Sequence, residues 1–240
     1  MAMNEWHGYT MKEFSFEGKE ARIIFPKEAN STRSWMLKTE YFGAFPNTEI
    51  TLLKKGYHLA FIRNNNRWGT DVDLDRKYRF IKFIQEEYQL AKMCVLIGMS
   101  CGGTIGVKFA AKYPEKVSLL YLDAPVMNFL SCPAAIGRSQ KPLYEEFYEA
   151  THITLAELLN YRQHPVDLMG ILLENKIPIL LVCDKNDTIV PYEENGKQLF
   201  DFYSRNNGNI KLILKESTGH HPHGLENPEE MVNFIIQNER

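Results

Sequence analysis

Three short segments carry side chains that could do chemistry together. Gly98-Met99-Ser100-Cys101-Gly102 sets a serine in the G-x-S-x-G spacing. Asp184-Lys185-Asn186-Asp187 sets carboxylates just past an apolar run, and Ser217-Thr218-Gly219-His220-His221-Pro222-His223 sets three imidazoles past another. A serine hydroxyl attacks a carbonyl only when a base removes its proton. Histidine is that base when a carboxylate holds its other ring N–H. The assignment is therefore Ser100 as nucleophile, His220 as general base and Asp187 as the orienting acid. Asp123, which ends a further apolar run, is the second choice of acid. Asp184 is expected nearer its strand end and pointing elsewhere. Each segment also has a plain structural reading: a small-residue turn, an aspartate opening a helix, a solvated polar loop.

Those side chains need elements that place them. Met93-Cys94-Val95-Leu96-Ile97 reads as a buried parallel strand, and the residues from Gly103 to Tyr113 as a helix stopped by Pro114. Strand, sharp turn and helix would lift the Ser100 hydroxyl above the sheet, with Gly98 and Gly102 giving room for close packing. Ser118–Leu122 ending at Asp123, Ile179–Cys183 ending at Asp184, and Ile210–Leu214 read as further strands. Earlier come a hairpin over 10–26, helices over 32–43 and 47–55, a strand at 58–62 and a long amphipathic helix over 71–90. Helices over 192–205 and 228–238 complete the pattern. Alternating strands and helices predict an α/β fold: a doubly wound, mostly parallel sheet with helices on both faces. Residues 125–176 exceed a simple crossover and carry Pro125, Pro133, Pro142 and Pro165. They read as a small helical cap on a single domain spanning 1–240, or as a long crossover with several helices.

Composition narrows the classes of partner. The chain has 240 residues, 44% of them hydrophobic, and a net charge of −2 with both signs interspersed. No basic stripe points to nucleic acid and no basic patch to an anionic membrane. Cys94, Cys101, Cys132 and Cys183 show no paired spacing and read as reduced thiols. With no basic-then-apolar leader and no membrane-length apolar run, a cytoplasmic protein is expected. His-His-x-His matches no standard metal spacing, so neither metal nor cofactor is expected.

The chain resembles the α/β-hydrolase superfamily over nearly its full length. G-M-S-C-G, D-K-N-D-T-I-V-P and G-H-H-P-H-G-L-E-N-P stand in the superfamily's order, Ser then Asp then His. It also looks like a subgroup of bacterial single-domain hydrolases sharing Y-L-D-A-P, V-P-Y-E-E-N and H-H-P-H-G-L. In relatives a G-H pair precedes P-H and E-x-P, so one inserted residue here leaves His221 as the alternative base. The resemblance implies an oxyanion hole built from the Cys101 N–H and a second backbone N–H. Where relatives carry H-G, the sequence is assigned Phe25-Pro26-Lys27-Glu28, and Pro26 has no N–H, so Lys27 or Glu28 is the expected donor. The implied reaction is hydrolysis of an acyl ester of a small soluble molecule through an acyl-enzyme. Amide or thioester cleavage, acyl transfer and non-catalytic ligand binding on the same fold are the alternatives. Trp35, Tyr41, Phe42, Phe45, Trp68, Met127 and Phe129 are candidates to line the pocket.

Overall fold

Apolar runs bounded by turn residues become the strands of one twisted sheet. The computed structural model describes residues 2–216 and 219–240, so Ser217 and Thr218 of the histidine loop lie outside the described residues. The strands are β1 (Ala2–Trp6), β2 (Tyr9–Phe16), β3 (Lys19–Ile24), β4 (Trp35–Lys38), β5 (His58–Ile62), β6 (Cys94–Met99), β7 (Val117–Asp123), β8 (Ile179–Asp184) and β9 (Ile210–Lys215). They lie in the order β1-β2-β3-β5-β4-β6-β7-β8-β9. β1 to β3 form an antiparallel meander joined antiparallel to β5. From β5 to β9 the sheet is parallel. Every residue of β4 to β8 is buried, which is why these strands read as continuous apolar runs instead of alternating ones. The β2–β3 hairpin turns through Glu17 and Gly18, both at positive φ, as a two-residue turn between right-twisted strands requires.

The helices are α1 (Asn47–Lys54), α2 (Asp71–Tyr88), α3 (Cys101–Lys112), α4 (Tyr144–Thr151), α5 (Leu155–Asn160), α6 (Met169–Glu174), α7 (Gly196–Arg205) and α8 (Glu229–Asn238). α1 and α8 pack together over one face, where Leu52, Leu53, Met231, Val232 and Ile235 meet Ile97, Leu119 and Val182. α2, α3, α6 and α7 cover the other face around Phe80, Ile84, Ile105, Phe109, Leu172 and Leu199. The sheet is thus apolar on both sides and closed by two helical layers.

Two elements differ from the sequence reading. The helix expected over 32–43 is instead the strand β4 and the loop after it. Trp35, Met36 and Leu37 are all buried, so no polar face exists for a surface helix, and four residues suffice for a strand wedged between β5 and β6. The sequence reading has no counterpart of β1. It pairs with β2 at the sheet edge, and its register places Trp6 opposite Tyr9. Within 125–176, α6 and the 3-10 turn at Pro165–Leu168 pack against α3 like an ordinary crossover. The residues before them build a satellite core in which Phe129, Cys132, Phe147 and Leu158 close over Trp68, Cys101, Val126 and Val190.

Candidate active site

Ser100 stands between β6 and α3 at φ +51° and ψ −122°, a conformation that side-chain-bearing residues rarely adopt. The surrounding backbone holds it there. Its N–H donates to the Asp123 carbonyl at 2.9 Å, and its carbonyl accepts from Gly103 and Val126 at 2.9 and 3.1 Å. The turn closes this tightly because two neighbours lack side chains. A Cβ on Gly98 would lie 2.5 Å from the Gly102 oxygen, and one on Gly103 would lie 2.5 Å from Pro125 Cβ. Gly98 was singled out from sequence. Gly103 was not, because its partner Pro125 comes from another strand end.

Three loops at the carboxyl ends of β6, β8 and β9 meet above Ser100. His220 Nε2 is 3.1 Å from Ser100 Oγ, and His220 Nδ1 is 2.7 Å from Asp187 Oδ2. Asp187 Oδ1 accepts the N–H groups of Ile189 and Val190, each at 2.8 Å. The carboxylate is therefore fully held, and its side chain is 1% exposed. With Nδ1–H donated to Asp187, Nε2 faces the serine as an acceptor, so the chain of contacts can draw a proton from Ser100.

Asp123, the second-choice acid, is engaged elsewhere. Its Oδ1 lies 2.7 Å from His223 Nδ1, and its Oδ2 accepts from the Gly224 N–H and Tyr121 Oη. His223 is buried and pins the loop that carries His220. His221, the alternative base, is exposed at the cavity rim and stacks on Phe45, with ring centroids 5.6 Å apart. Burial, and then the neighbouring His220 and His223, push its pKa below the ordinary imidazole range. Ring nitrogens of all three histidines lie within 4.8 Å of one another.

Ser100 opens onto a cavity of about 220 Å³. Phe45, Met99, Leu143 and Ile189 give it apolar walls, while Arg67, Lys141 and His221 add polar ones. Arg67 grips Glu146 on α4 through two hydrogen bonds and donates to Tyr41 Oη at 3.3 Å. Burial pushes the Tyr41 phenol and the Cys101 thiol up, so both are neutral at pH 7.

The expected second oxyanion donors lie elsewhere. β3 runs antiparallel to β5 with Ile24 opposite Leu59, so Lys27 and Glu28 follow β3 at the opposite end of the sheet from Ser100. They line a separate cleft with Tyr9 and Leu53. The loop that reaches the serine follows β4, the strand paired directly with β6. There Thr39 Oγ1 donates to the Gly102 and Ile97 carbonyls at 2.7 and 3.1 Å, and Tyr41 reaches the cavity. Cys101 opens α3, so its N–H is a first-turn donor beside Ser100.

Of the residues expected to line the pocket, Trp35, Trp68, Met127 and Phe129 are core instead. Trp35 donates to the Ala91 carbonyl at the far end of β4, Met127 lies in the main core, and Trp68 and Phe129 fill the satellite core behind Cys101. All four are at most 1% exposed. Large aromatic and thioether side chains went to the driest places, not to the cavity wall. Of the other aromatic candidates, Tyr41 and Phe45 line the cavity, and Phe42 packs on Trp6 and Phe61. Arg67, Cys132, Lys141, Leu143 and Ile189 carried no sequence signal. All four cysteines are free and buried. No helix among the described residues is long and apolar enough to cross a membrane.

Residues 60–157 match the family model described as alpha/beta hydrolase fold. Among solved structures, the chain is similar to MPT51 of Mycobacterium tuberculosis at 15% identity and TM-score 0.72, covering 97% of this chain and 99% of that one. It is also similar to an acylaminoacyl peptidase of Pyrococcus horikoshii at 12% identity and TM-score 0.72, and to dipeptidyl peptidase 4 of Porphyromonas gingivalis at 13% and 0.69. Each likeness covers 96% of this chain, which spans only 42% and 35% of those two peptidases. Comparison with curated protein sequences finds no match. The sheet order, the strained serine turn between β6 and α3, the matching family model and the full-length structural likeness agree: the chain has the α/β-hydrolase fold.

Proposed function

We propose that the protein is a serine hydrolase that cleaves an acyl ester of a small soluble molecule, with Ser100 as nucleophile, His220 as base and Asp187 as the orienting acid. The observation that carries this reading is the continuous contact from Ser100 Oγ to His220 to Asp187, at 3.1 and 2.7 Å, at the mouth of a cavity. His220 Nε2 takes the serine proton as Oγ bonds to the acyl carbon. The tetrahedral oxyanion is held by the N–H of Cys101 and a backbone N–H of the Glu40–Tyr41 stretch. As the C–O bond to the alcohol breaks, His220 returns the proton to the leaving oxygen. Water then attacks the acyl-enzyme with His220 again as base, releasing the acid and restoring Ser100. The apolar walls suit a short acyl chain, and Arg67 and Lys141 add cationic character beside it.

The test is labelling of the purified protein with a fluorophosphonate, mapped by mass, beside turnover of p-nitrophenyl acetate and of an acyl anilide. Ser100 should carry the only adduct, Ser100→Ala should lose it, and ester should turn over faster than anilide. Anilide preference would reassign the reaction to amide cleavage. Absence of both labelling and turnover in the folded protein would favour a ligand-binding role.

A further inference from the structure

We propose that the imidazoles of His220, His221 and His223 form a site for one Zn²⁺ ion, and that an ion bound there holds Ser100 inactive. The metal site stands on the geometry of the histidine loop. Only the loss of activity rests on the hydrolase reading above.

The rings meet edge to face, with centroids 4.7, 4.9 and 5.0 Å apart. Each can bring one nitrogen within 4.8 Å of the other two. Zinc bound tetrahedrally at about 2.0–2.1 Å per nitrogen needs its ligands roughly 3.3 Å apart. The loop must therefore contract by about 1.5 Å at most, a shift within reach of side-chain rotation by the exposed His221.

Two of the three ligands are already prepared. His220 and His223 each direct Nδ1 at a buried carboxylate, Asp187 and Asp123, both at 2.7 Å. A histidine that donates Nδ1–H to a carboxylate presents its Nε2 lone pair outward, and this backing fixes the ring and raises its basicity toward a metal. The same two carboxylates place negative charge behind the rings, which offsets the divalent ion. Lys141 in the cavity wall opposes it. Three neutral nitrogen donors without a carboxylate oxygen in the first shell suit zinc and disfavour magnesium or calcium, which require oxygen ligands.

Binding breaks no covalent bond. Three lone pairs coordinate the ion, and a water completes its shell. The His220 lone pair is then committed to the metal, so it cannot accept the Ser100 proton.

The experiment is isothermal titration of the protein with ZnCl₂, with MgCl₂ in parallel, on wild type and His221→Ala. The exposed His221 makes this variant compatible with folding. Fluorophosphonate labelling of Ser100 is followed with Zn²⁺ and again after EDTA. We expect one Zn²⁺ per chain, no heat from Mg²⁺, at least about tenfold weaker binding in His221→Ala, and labelling that slows at least about tenfold and recovers with chelator. No stoichiometric binding by about 0.1 mM Zn²⁺, or unchanged affinity in His221→Ala, overturns the site. Binding that leaves the labelling rate unchanged overturns the inhibition. Binding lost in His221→Ala, by a protein that never labels even when metal-free, supports the metal site and rejects the hydrolase reading.

Discussion

Replacing Asp187 by Asn tests the division of labour between the two buried carboxylates. Asp187 Oδ1 takes two backbone N–H groups and Oδ2 faces His220 Nδ1. An asparagine can keep its carbonyl oxygen on the two N–H groups, which turns its NH₂ toward His220. The imidazole must then accept at Nδ1 and carry its proton on Nε2, where it repels the serine hydroxyl proton instead of taking it. The loss combines a wrong tautomer with the missing charge that stabilises the imidazolium. By the known behaviour of such relays this is about 10³- to 10⁴-fold in kcat, or about 4–5.5 kcal/mol. Stability should fall less, by about 1–2 kcal/mol, since two charge-assisted bonds become neutral ones. Asp123 cannot substitute, because His223 and Gly224 occupy its oxygens. The assay is ester turnover beside thermal unfolding, with Asp123→Asn as the paired variant. Asp187→Asn within tenfold of wild type, with a larger loss of turnover in a folded Asp123→Asn, would refute the assignment of His220 to Asp187.

Ser100→Gly should abolish labelling yet stabilise the fold by about 1 kcal/mol, because glycine accepts φ +51° without strain; a lower denaturation midpoint would contradict that strain. Gly103→Ala should cost about 2–3 kcal/mol, since its Cβ meets Pro125 at 2.5 Å. Gly106→Ala, where the nearest atom is 3.6 Å away, should be neutral or stabilising by up to about 1 kcal/mol, and equal effects of the two in urea unfolding would discount the close packing. His58 is 3% exposed, and burial, with Arg33 nearby, lowers its pKa to about 4. The fold favours the neutral ring, so its stabilisation is complete above the unfolded pKa of about 6.5 and is lost as pH falls toward 4. The loss amounts to about 3 kcal/mol. Between pH 7 and 4 the wild type should lose about 3 kcal/mol more unfolding free energy than His58→Leu; parallel profiles would assign the acid sensitivity elsewhere.

The parallel strands were legible where a run of apolar residues ended at a residue with chemistry to do. Leu180-Leu181-Val182-Cys183 before Asp184 and Val95-Leu96-Ile97 before Gly98 are buried on both faces, so their composition alone marks them. Ser100, Asp187 and His220 followed as loop residues beyond such runs, and the structure brings them together. β4 escaped because Trp35-Met36-Leu37-Lys38 is short and its lysine is buried against Glu49, a pairing between elements that no local pattern reports. That one misreading moved the loop beside Ser100 from Thr39–Tyr41 to Lys27–Glu28. The cavity wall was harder still. Arg67 and Lys141 resemble any exposed cation in sequence, and only the folded chain sets Arg67 against Glu146 and Tyr41.

The strand order has a consequence for the newly made chain. Ser100 belongs to a turn that needs only β6, α3 and the end of β7, but its partners arrive on the loops after β8 and β9. Contacts separated by 120 residues form late, after the loop entropy between them has been overcome. On the proposed hydrolase reading, a chain still emerging during synthesis thus carries Ser100 without His220, and incomplete or truncated products lack the group that would let the serine attack passing esters.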